Sequence, residues 1–600
     1  MRSSGGSDAS TLLVFAEFAP MTEASSDTVL AASRVPFDIE ACTASVIALA
    51  AKLGQAADVE AAAASILEWD DLMAAQQNWS SAVSIRFRQD TREPEAKAAK
   101  AELDSAAAAL EGNRRTFLQT LFSDDVSNDL RAGLSQRFGK TCMARWEMEL
   151  RAFHPSIGEL LAEEQRLKSQ HTTLIGSGRV EFQGKEMTLA AVSAFLTSSD
   201  RSVREAAAKV RWAWFASVRD ELDALFDQLI RVRTAIAAGL GQKSFTDVAY
   251  DRMRRSDYGP ADVAAVRQAV REHIVPLAAG IRSAQAERLG LSSLRIHDEQ
   301  IFGTGESPRP ATPPGEEDAP WLEARAQDLF DDVDTRHGTQ LGQLFGDMAA
   351  RGLLDLAGRE GKGAGGFCSF LPKAGLPFIF ANFNGTAGDA RVFTHEMGHA
   401  YQGWSSSRNV ELTDQRRCTS ETAEIHSMSL EFLTWPWMEV LFEGAADRFR
   451  AEHVASQVAF VPYGCAIDEF QHEVYANPSM TAAERRGVWH EIEQRYLPWR
   501  DWAGVEHGEE GSAWQAQLHV FQYPFYYIDY VLAQLVAFQF LSLSETDAAD
   551  AWKRYQNLCD LGGSRGFREL VGEVAGLSDP FKKGSIEAIA TALKARLAGQ

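Results

Sequence analysis

The sequence predicts a mainly α-helical chain in which one small β-region leads directly into a candidate active-site helix. Three observations carry this. Long alanine-rich stretches repeat apolar residues at steps of three and four. Strand-like alternation is confined to two short places. At 600 residues the chain is also too long for one compact core of ordinary size, which favours two lobes or one large helical body.

Residues 1–36 are rich in Ser, Ala and Gly and are expected to form an unstructured leader, with Met21 a candidate start. Region 37–200 reads as helical, with Ile66, Leu67, Trp69, Leu72 and Met73 marking one apolar face. A β-hairpin is expected near 180–189, where VEFQGKEMTL alternates on both sides of Gln183 and Gly184. Ser199 or Asp200 can cap a long helix that runs to Gly239 or Gly241. Region 201–600 is expected to hold the chemistry. Within it, GTGESPRPATPPGEEDAP at 303–320 mixes prolines, glycines and acids, cannot continue a helix, and reads as a surface loop or linker. Helix returns at 321–357. After a glycine-rich stretch, GFCSFL and PFIFANF read as strands.

Sixty basic against 83 acidic side chains give a net charge of -23, which argues against nucleic acid as a partner. Six cysteines without a CxxC pair point to a reducing compartment. The N-terminus lacks the apolar core of a secretory signal, and no run approaches the roughly 20 apolar residues of a membrane helix. The expectation is a cytoplasmic protein without a membrane partner.

The strands lead into His395-Glu396-Met397-Gly398-His399. On a helix, histidines four residues apart project from one face, a spacing at which two ring nitrogens reach a single Zn²⁺. Glu396 beside the first histidine is placed to take a proton from water. Asp389 is a candidate cap for this helix. Gly398 in a helix interior costs about 1 kcal/mol relative to Ala, which makes sense if another backbone passes close by. In 600 residues with 13 histidines such a string arises by chance in a few per cent of sequences, on the order expected from composition, so a third ligand is needed.

SETAEIHSMSLEFL offers one. Glu424, Ser427 and Glu431 share a helix face, and buried carboxylates need a partner. Glu421 joins Glu431 as a supporting or capping residue rather than a ligand. His426 points about 200° away from Glu424 at 100° per residue and is the weaker candidate.

HEMGH, followed 29 residues after its first histidine by Glu424 in AEIHSMSLEF, resembles the zinc metallopeptidases of the thimet oligopeptidase and oligoendopeptidase F group. QYPFYYIDYVLAQ at 522–534 and SFTDVAYDRMRRSDYGP at 244–260 are similar to segments of the oligoendopeptidase branch. The resemblance implies a large helical, two-lobed, clam-like peptidase with a small β-sheet beside the HExxH helix. One Zn²⁺ per chain would be held by His395, His399 and Glu424, with Glu396 as general base and Ser427 and Glu431 behind the ligands. Tyr530 matches the oxyanion donor. Tyr523 and His519 match substrate contacts; Tyr527 is grouped with them, although FYYIDY departs from the thimet-branch pattern and leaves both Tyr526 and Tyr527 ambiguous between roles. Short peptides would be the substrates, and PFIFANF would pair with them along its edge. Two alternatives stand beside this endopeptidase reading: a helical zinc carboxypeptidase, which needs a cation for the substrate C-terminus, and a peptide-binding protein that has kept the fold without activity.

Overall fold

The computed structural model describes residues 29–303 and 307–598. Most of the expected leader, with Met21, lies outside the described residues, as do 304–306 of the surface loop. The end of the leader departs from expectation: Leu30–Arg34 is a helical turn. Val29 and Leu30 are buried in the main core beside Ala82 and Ile85, because two adjacent aliphatic side chains gain more from burial than the turn loses in entropy.

The N-terminal helices are α1 (Ile39–Gly54), α2 (Val59–Gln89) and α3 (Pro94–Leu121). Asp38 and Asp58 cap the first two by accepting from Ala41 and Ala61 N–H. Trp69 of α2 is fully buried, stacked on Phe117 at 4.6 Å and edge-on to Trp146 at 5.8 Å. The hairpin forms as β1 (Arg179–Phe182) and β2 (Lys185–Thr188), with Gln183 and Gly184 both at positive φ, 52° and 72°, as a two-residue hairpin turn requires.

The expected helix from 200 to 239 is two helices. Asp200 caps α4 (Arg201–Ser217), Val218 leaves helical geometry, and α5 (Arg219–Gly239) restarts with Asp220 and Glu221 in its first turn. The stretch read as helix over 321–357 also divides, into α6 (Asp318–His337), α7 (Leu341–Ala350) and a strand, β3 (Leu354–Ala357).

β4 (Phe367–Leu371) and β5 (Leu376–Phe383) complete a three-stranded sheet of order β3-β5-β4. β5 pairs in parallel with β3 and antiparallel with β4. Its central place explains its near-continuous apolar run, since both faces are covered. It also corrects the reading of PFIFANF as a peptide-receiving edge: both edges of β5 are taken, and the open edge beside the site is that of β4.

The sheet feeds α8 (Ala387–Asn409), which carries HEMGH, then α9 (Ser420–Leu433), α10 (Ala446–Ala476), α11 (Tyr527–Thr546) and α12 (Ala548–Leu561). α11 is long and apolar enough to cross a membrane, with mean hydropathy 1.3. Yet 67% of that stretch is buried inside this fold, as a core helix. The N-terminal helices are latched to the turn joining α8 and α9. Buried Asp70 of α2 accepts from Thr413 and Asp414 N–H at 2.7 and 3.1 Å, while Asp414 takes Trp146 Nε1–H at 2.7 Å and pairs with Arg114 at 3.1 Å.

Candidate active site

α8 buries Phe393, Met397, Ala400, Tyr401 and Trp404, which turns His395 and His399 toward the site. Its N-terminus is not capped as expected. Thr386 is the N-cap, and Asp389, one turn inside, folds back to accept from Asn384 and Gly385 N–H at 2.8 and 2.6 Å, fixing the strand-to-helix turn.

α9 crosses α8 at Gly398. A Cβ there would lie 2.5 Å from His426 O and 2.6 Å from Ser427 Cα, so only glycine permits the approach. That crossing places Glu424, one turn before the contact, against the histidine pair. Ligand atoms of His395, His399 and Glu424 lie within 4.8 Å of one another. Glu424 Oε2 is 3.2 Å from His395 Nε2 and 3.7 Å from His399 Nε2. Ser427 Oγ–H donates to the same oxygen at 2.9 Å, and Tyr526 Oη–H to Oε1 at 3.3 Å.

Behind His395 runs a relay that the sequence reading found only in part. Trp435 Nε1–H donates to His453 Nδ1 at 3.1 Å. Neutral His453 therefore carries its proton on Nε2, which lies 2.9 Å from Glu431 Oε2. Glu431 Oε1 in turn is 2.8 Å from His395 Nδ1. His395 thus donates from Nδ1 and keeps the Nε2 lone pair for a metal, the arrangement that orients histidine ligands and raises their basicity. His453 lies on α10, far from the helix's other histidine, His472, and no motif singles it out. Only the rule that buried Glu431 needs a partner pointed toward such a residue.

These residues fit a divalent cation. Glu396, Glu424 and Glu431 are 8%, 6% and 5% exposed. Their ion-pair partners among the described residues are histidines alone. Burial disfavours charge on His395, yet its bonds to Glu424 and Glu431 outweigh this and push its pKa well up. Positive charge is what the two carboxylates draw to that point, and a metal ion answers the same demand. Burial would likewise raise Glu424, but His395 and His399 bring it down to about 2.

Glu396 faces the open edge of β4. Burial pushes its carboxyl up to about 7, against the pull of His395, while Cys368 N–H donates to it. A Cβ at Gly366 would come within 3.7 Å of Glu396 Oε1. Glu421 does not reach the ligands. It accepts Thr419 Oγ1–H at 2.7 Å in the first turn of α9. His426 faces away, with Tyr555 Oη–H donating to its carbonyl at 3.0 Å.

The tyrosines form the opposite wall. Tyr526 and Tyr530 rings meet at 5.1 Å and their hydroxyls bond. Burial raises both phenols, Tyr530 to about 12, so both stay protonated donors. His519 lies at the centre of the cluster, stacked on Tyr526 at 5.5 Å and bonded to Gln517 through Nδ1 at 2.7 Å. Tyr527 packs on Phe460 and Tyr463. Tyr523 is 56% exposed beneath Lys168, whose Nζ is 5.1 Å from its ring.

A helical scaffold with an HExxH helix, a glutamate from the next helix and a short sheet beside them defines a metallopeptidase. The comparisons place it further. Residues 340–591 match peptidase family M3, and 34–153 match the peptidase M3 N-terminal domain. The chain is 36% identical to PZ peptidase A, solved with an inhibitor, over 95% of this chain and 99% of that one, with a TM-score of 0.87. A chain assigned as oligoendopeptidase F is 38% identical over 94% and 97%, with a TM-score of 0.86. Another so assigned, from Bacillus anthracis, is 34% identical over 94% and 97%, with a TM-score of 0.81. None of the curated proteins compared matches the chain. The chain belongs to peptidase family M3, in its oligoendopeptidase branch.

Proposed function

We propose that this chain is a zinc-dependent endopeptidase that hydrolyses internal bonds of short oligopeptides. The observation that carries this reading is the convergence of His395, His399 and Glu424 within 4.8 Å, with Glu396 beside them on the first ligand helix. Zinc held by these three residues supplies a Lewis acid that acidifies water and polarises a carbonyl. The remaining work falls to the chain. Glu396 takes the proton of the attacking water and returns it to the leaving amine, a role suited to a buried carboxyl beside the first ligand. Tyr530 Oη–H donates to the developing oxyanion, and Tyr526 holds Glu424 in place. The open edge of β4, whose Cys368 N–H already points at Glu396, pairs with the peptide backbone. Main-chain pairing reads little sequence, so broad tolerance of side chains follows. His519, Tyr523 and Tyr527 line the approach.

The test combines zinc content with cleavage of internally quenched peptides of increasing length. Glu396→Gln is expected to keep zinc and to lose about 10²- to 10⁴-fold in kcat. Full activity in that variant would remove Glu396 as the base. Release of single C-terminal residues alone would favour the carboxypeptidase.

A further inference from the structure

A cavity of about 960 Å³ opens beside the metal site, between the N-terminal turns of α8 and the middle of α10. Its walls continue those of the site. Arg391, on its lining, precedes His395 by four residues on the same helix face, about 6 Å along the axis. Phe460 and Tyr463, opposite, are the residues on which Tyr527 packs, and Phe460 also meets Tyr530 at 6.4 Å.

The charge of this cavity is unbalanced. Four arginines line it, Arg282, Arg309, Arg391 and Arg500, against two glutamates, Glu299 and Glu452. Both glutamates are engaged: Glu299 pairs with Arg500 at 2.7 Å, and Glu452 with Arg448 at 2.7 Å. Arg282 donates to Gln285 Oε1 and to Glu299 O at 2.8 and 2.6 Å. His453 is held neutral by burial, with Arg391 adding to the depression against the pull of Glu431. Arg391 and Arg309 remain, and among the described residues neither guanidinium has a carboxylate partner. The first turn of α8 lines the same space and adds the positive end of its dipole, while the nearby Asp389 carboxylate is spent on Asn384 and Gly385 N–H. In a protein of net charge -23, the half-buried Arg391 and the exposed Arg309 thus present two guanidinium groups next to a peptidase centre that no carboxylate among the described residues answers, a charge suited to an anionic part of the substrate.

We propose that this cavity receives a substrate carboxylate, with Arg391 as its principal contact and Arg309 as the second. The inference rests on the peptidase reading above. An extended peptide advances about 3.3 Å per residue, so an anion at Arg391 lies about two residues from the scissile bond. Either the C-terminal carboxylate of a short peptide or an acidic side chain meets that requirement. Arg391 is then a specificity-determining residue, acting on binding rather than on the reacting atoms.

The experiment uses internally quenched peptides with one fixed scissile sequence. One ends two residues beyond the cut as the free acid, one ends there as the amide, and one continues to an amidated end with Asp at that position. The wild type is expected to cleave the acid with kcat/KM about tenfold or more above the amide, through KM. The Asp peptide tells the sources apart: a gain there shows that side-chain carboxylates are accepted, and no gain restricts the cavity to chain termini. Arg391→Gln is expected to collapse the acid-to-amide ratio to near one, Arg391→Lys to restore part of it, and Arg309→Gln to lower it less. Equal cleavage of acid and amide by the wild type, or an unchanged ratio in Arg391→Gln, overturns the proposal. If the wild type cleaves none of the peptides, the peptidase reading falls. Calorimetric titration of the intact acid and amide into the same protein then still decides the cavity, with tighter acid binding supporting it and equal binding overturning it.

Discussion

On one wall of the site, the residues placed to hold a metal project from two helices whose backbones touch at Gly398. On the other, Tyr526, Tyr527 and Tyr530 project from the start of α11, which is entered through a turn whose carbonyls are gripped by buried arginines. The ligand wall takes its order from side chains bonding to side chains, through Trp435, His453, Glu431 and His395. The tyrosine wall takes its order from the backbone. Arg233 Nη2–H donates to Phe521 O at 2.5 Å, and Arg255 Nη2–H to Phe525 O at 2.6 Å. Phe525 sits at φ 65°, a strained value for a phenylalanine, held there by Arg255 on its carbonyl and Gln471 on its N–H at 2.9 Å. A side-chain relay fails one link at a time. A backbone clamp, once lost, displaces every tyrosine together.

The largest effect is therefore expected at a residue that touches neither metal nor peptide. Arg255 and Asp529 are both wholly buried and paired at 2.5 Å. Arg255→Met leaves Asp529 charged or protonated without a partner and frees the strained Phe525 turn. The expected loss is about 3–5 kcal/mol in unfolding free energy, read by denaturant titration, together with a fall in activity. A stable variant with unchanged kcat would show that the tyrosine wall does not depend on its clamp.

Next come the tyrosines themselves. Tyr530→Phe is expected to lower kcat by about 10²- to 10³-fold with little change in KM, as loss of one oxyanion donor does. Tyr526→Phe removes the bond to Glu424 and the bond to the Tyr530 hydroxyl but leaves the Tyr530 donor in place, and should weaken zinc retention more than the chemical step. If Tyr526→Phe suffers the greater kcat loss, the donor is Tyr526 and the two roles exchange.

How much of this was legible in the sequence follows the same division. His395, His399 and Glu424 could be read because helical periodicity converts spacing into direction, and Gly398 announced a neighbour that proved to be the α9 backbone. Tyr526 and Tyr530 stand four residues apart at the start of α11, so the same period puts both on one face and could not separate them. His453 carried no local signal, being one of two histidines set 19 residues apart on a long helix. Arg391 was hidden for another reason: its lack of a carboxylate partner among the described residues depends on what Glu299 and Glu452 do elsewhere in the chain. In the scaffold, β3 was missed because four residues after a helix are too few to show alternation, and without β3 the central strand β5 looked like an edge. The break at Val218 involves neither glycine nor proline.

Acid tests the clamp in a graded way. Burial would raise Glu164, but Arg233 and Arg252 outweigh it and hold the carboxyl down at about 2. Its unfolded counterpart titrates near the ordinary 4.5. The pair therefore contributes fully above about pH 4.5, and the contribution, on the order of 3 kcal/mol, is lost as pH falls toward 2. The gap in melting temperature between wild type and Glu164→Gln should be widest near neutrality and should close across that window. A gap independent of pH would mean that Glu164 does not supply charge to Arg233.

The ligand wall offers the smallest steps, graded along its relay. Glu431→Gln replaces the carboxylate that accepts His395 Nδ1–H with an amide, which weakens the acceptor and lets the ring adopt either tautomer. Zinc affinity is expected to fall about 10- to 100-fold, the usual cost of losing a bond behind a metal ligand. His453→Gln lies one link further out. Glu431 keeps its bond to His395 but loses the donor that fixes it, so the fall should be smaller than for Glu431→Gln. Competition with a chelator measures both, free of any assumption about substrate. If the two variants lose equal affinity, the relay acts as one cooperative unit. If His453→Gln loses none, orientation of His395 ends at Glu431, and His453 serves only to neutralise a buried carboxylate.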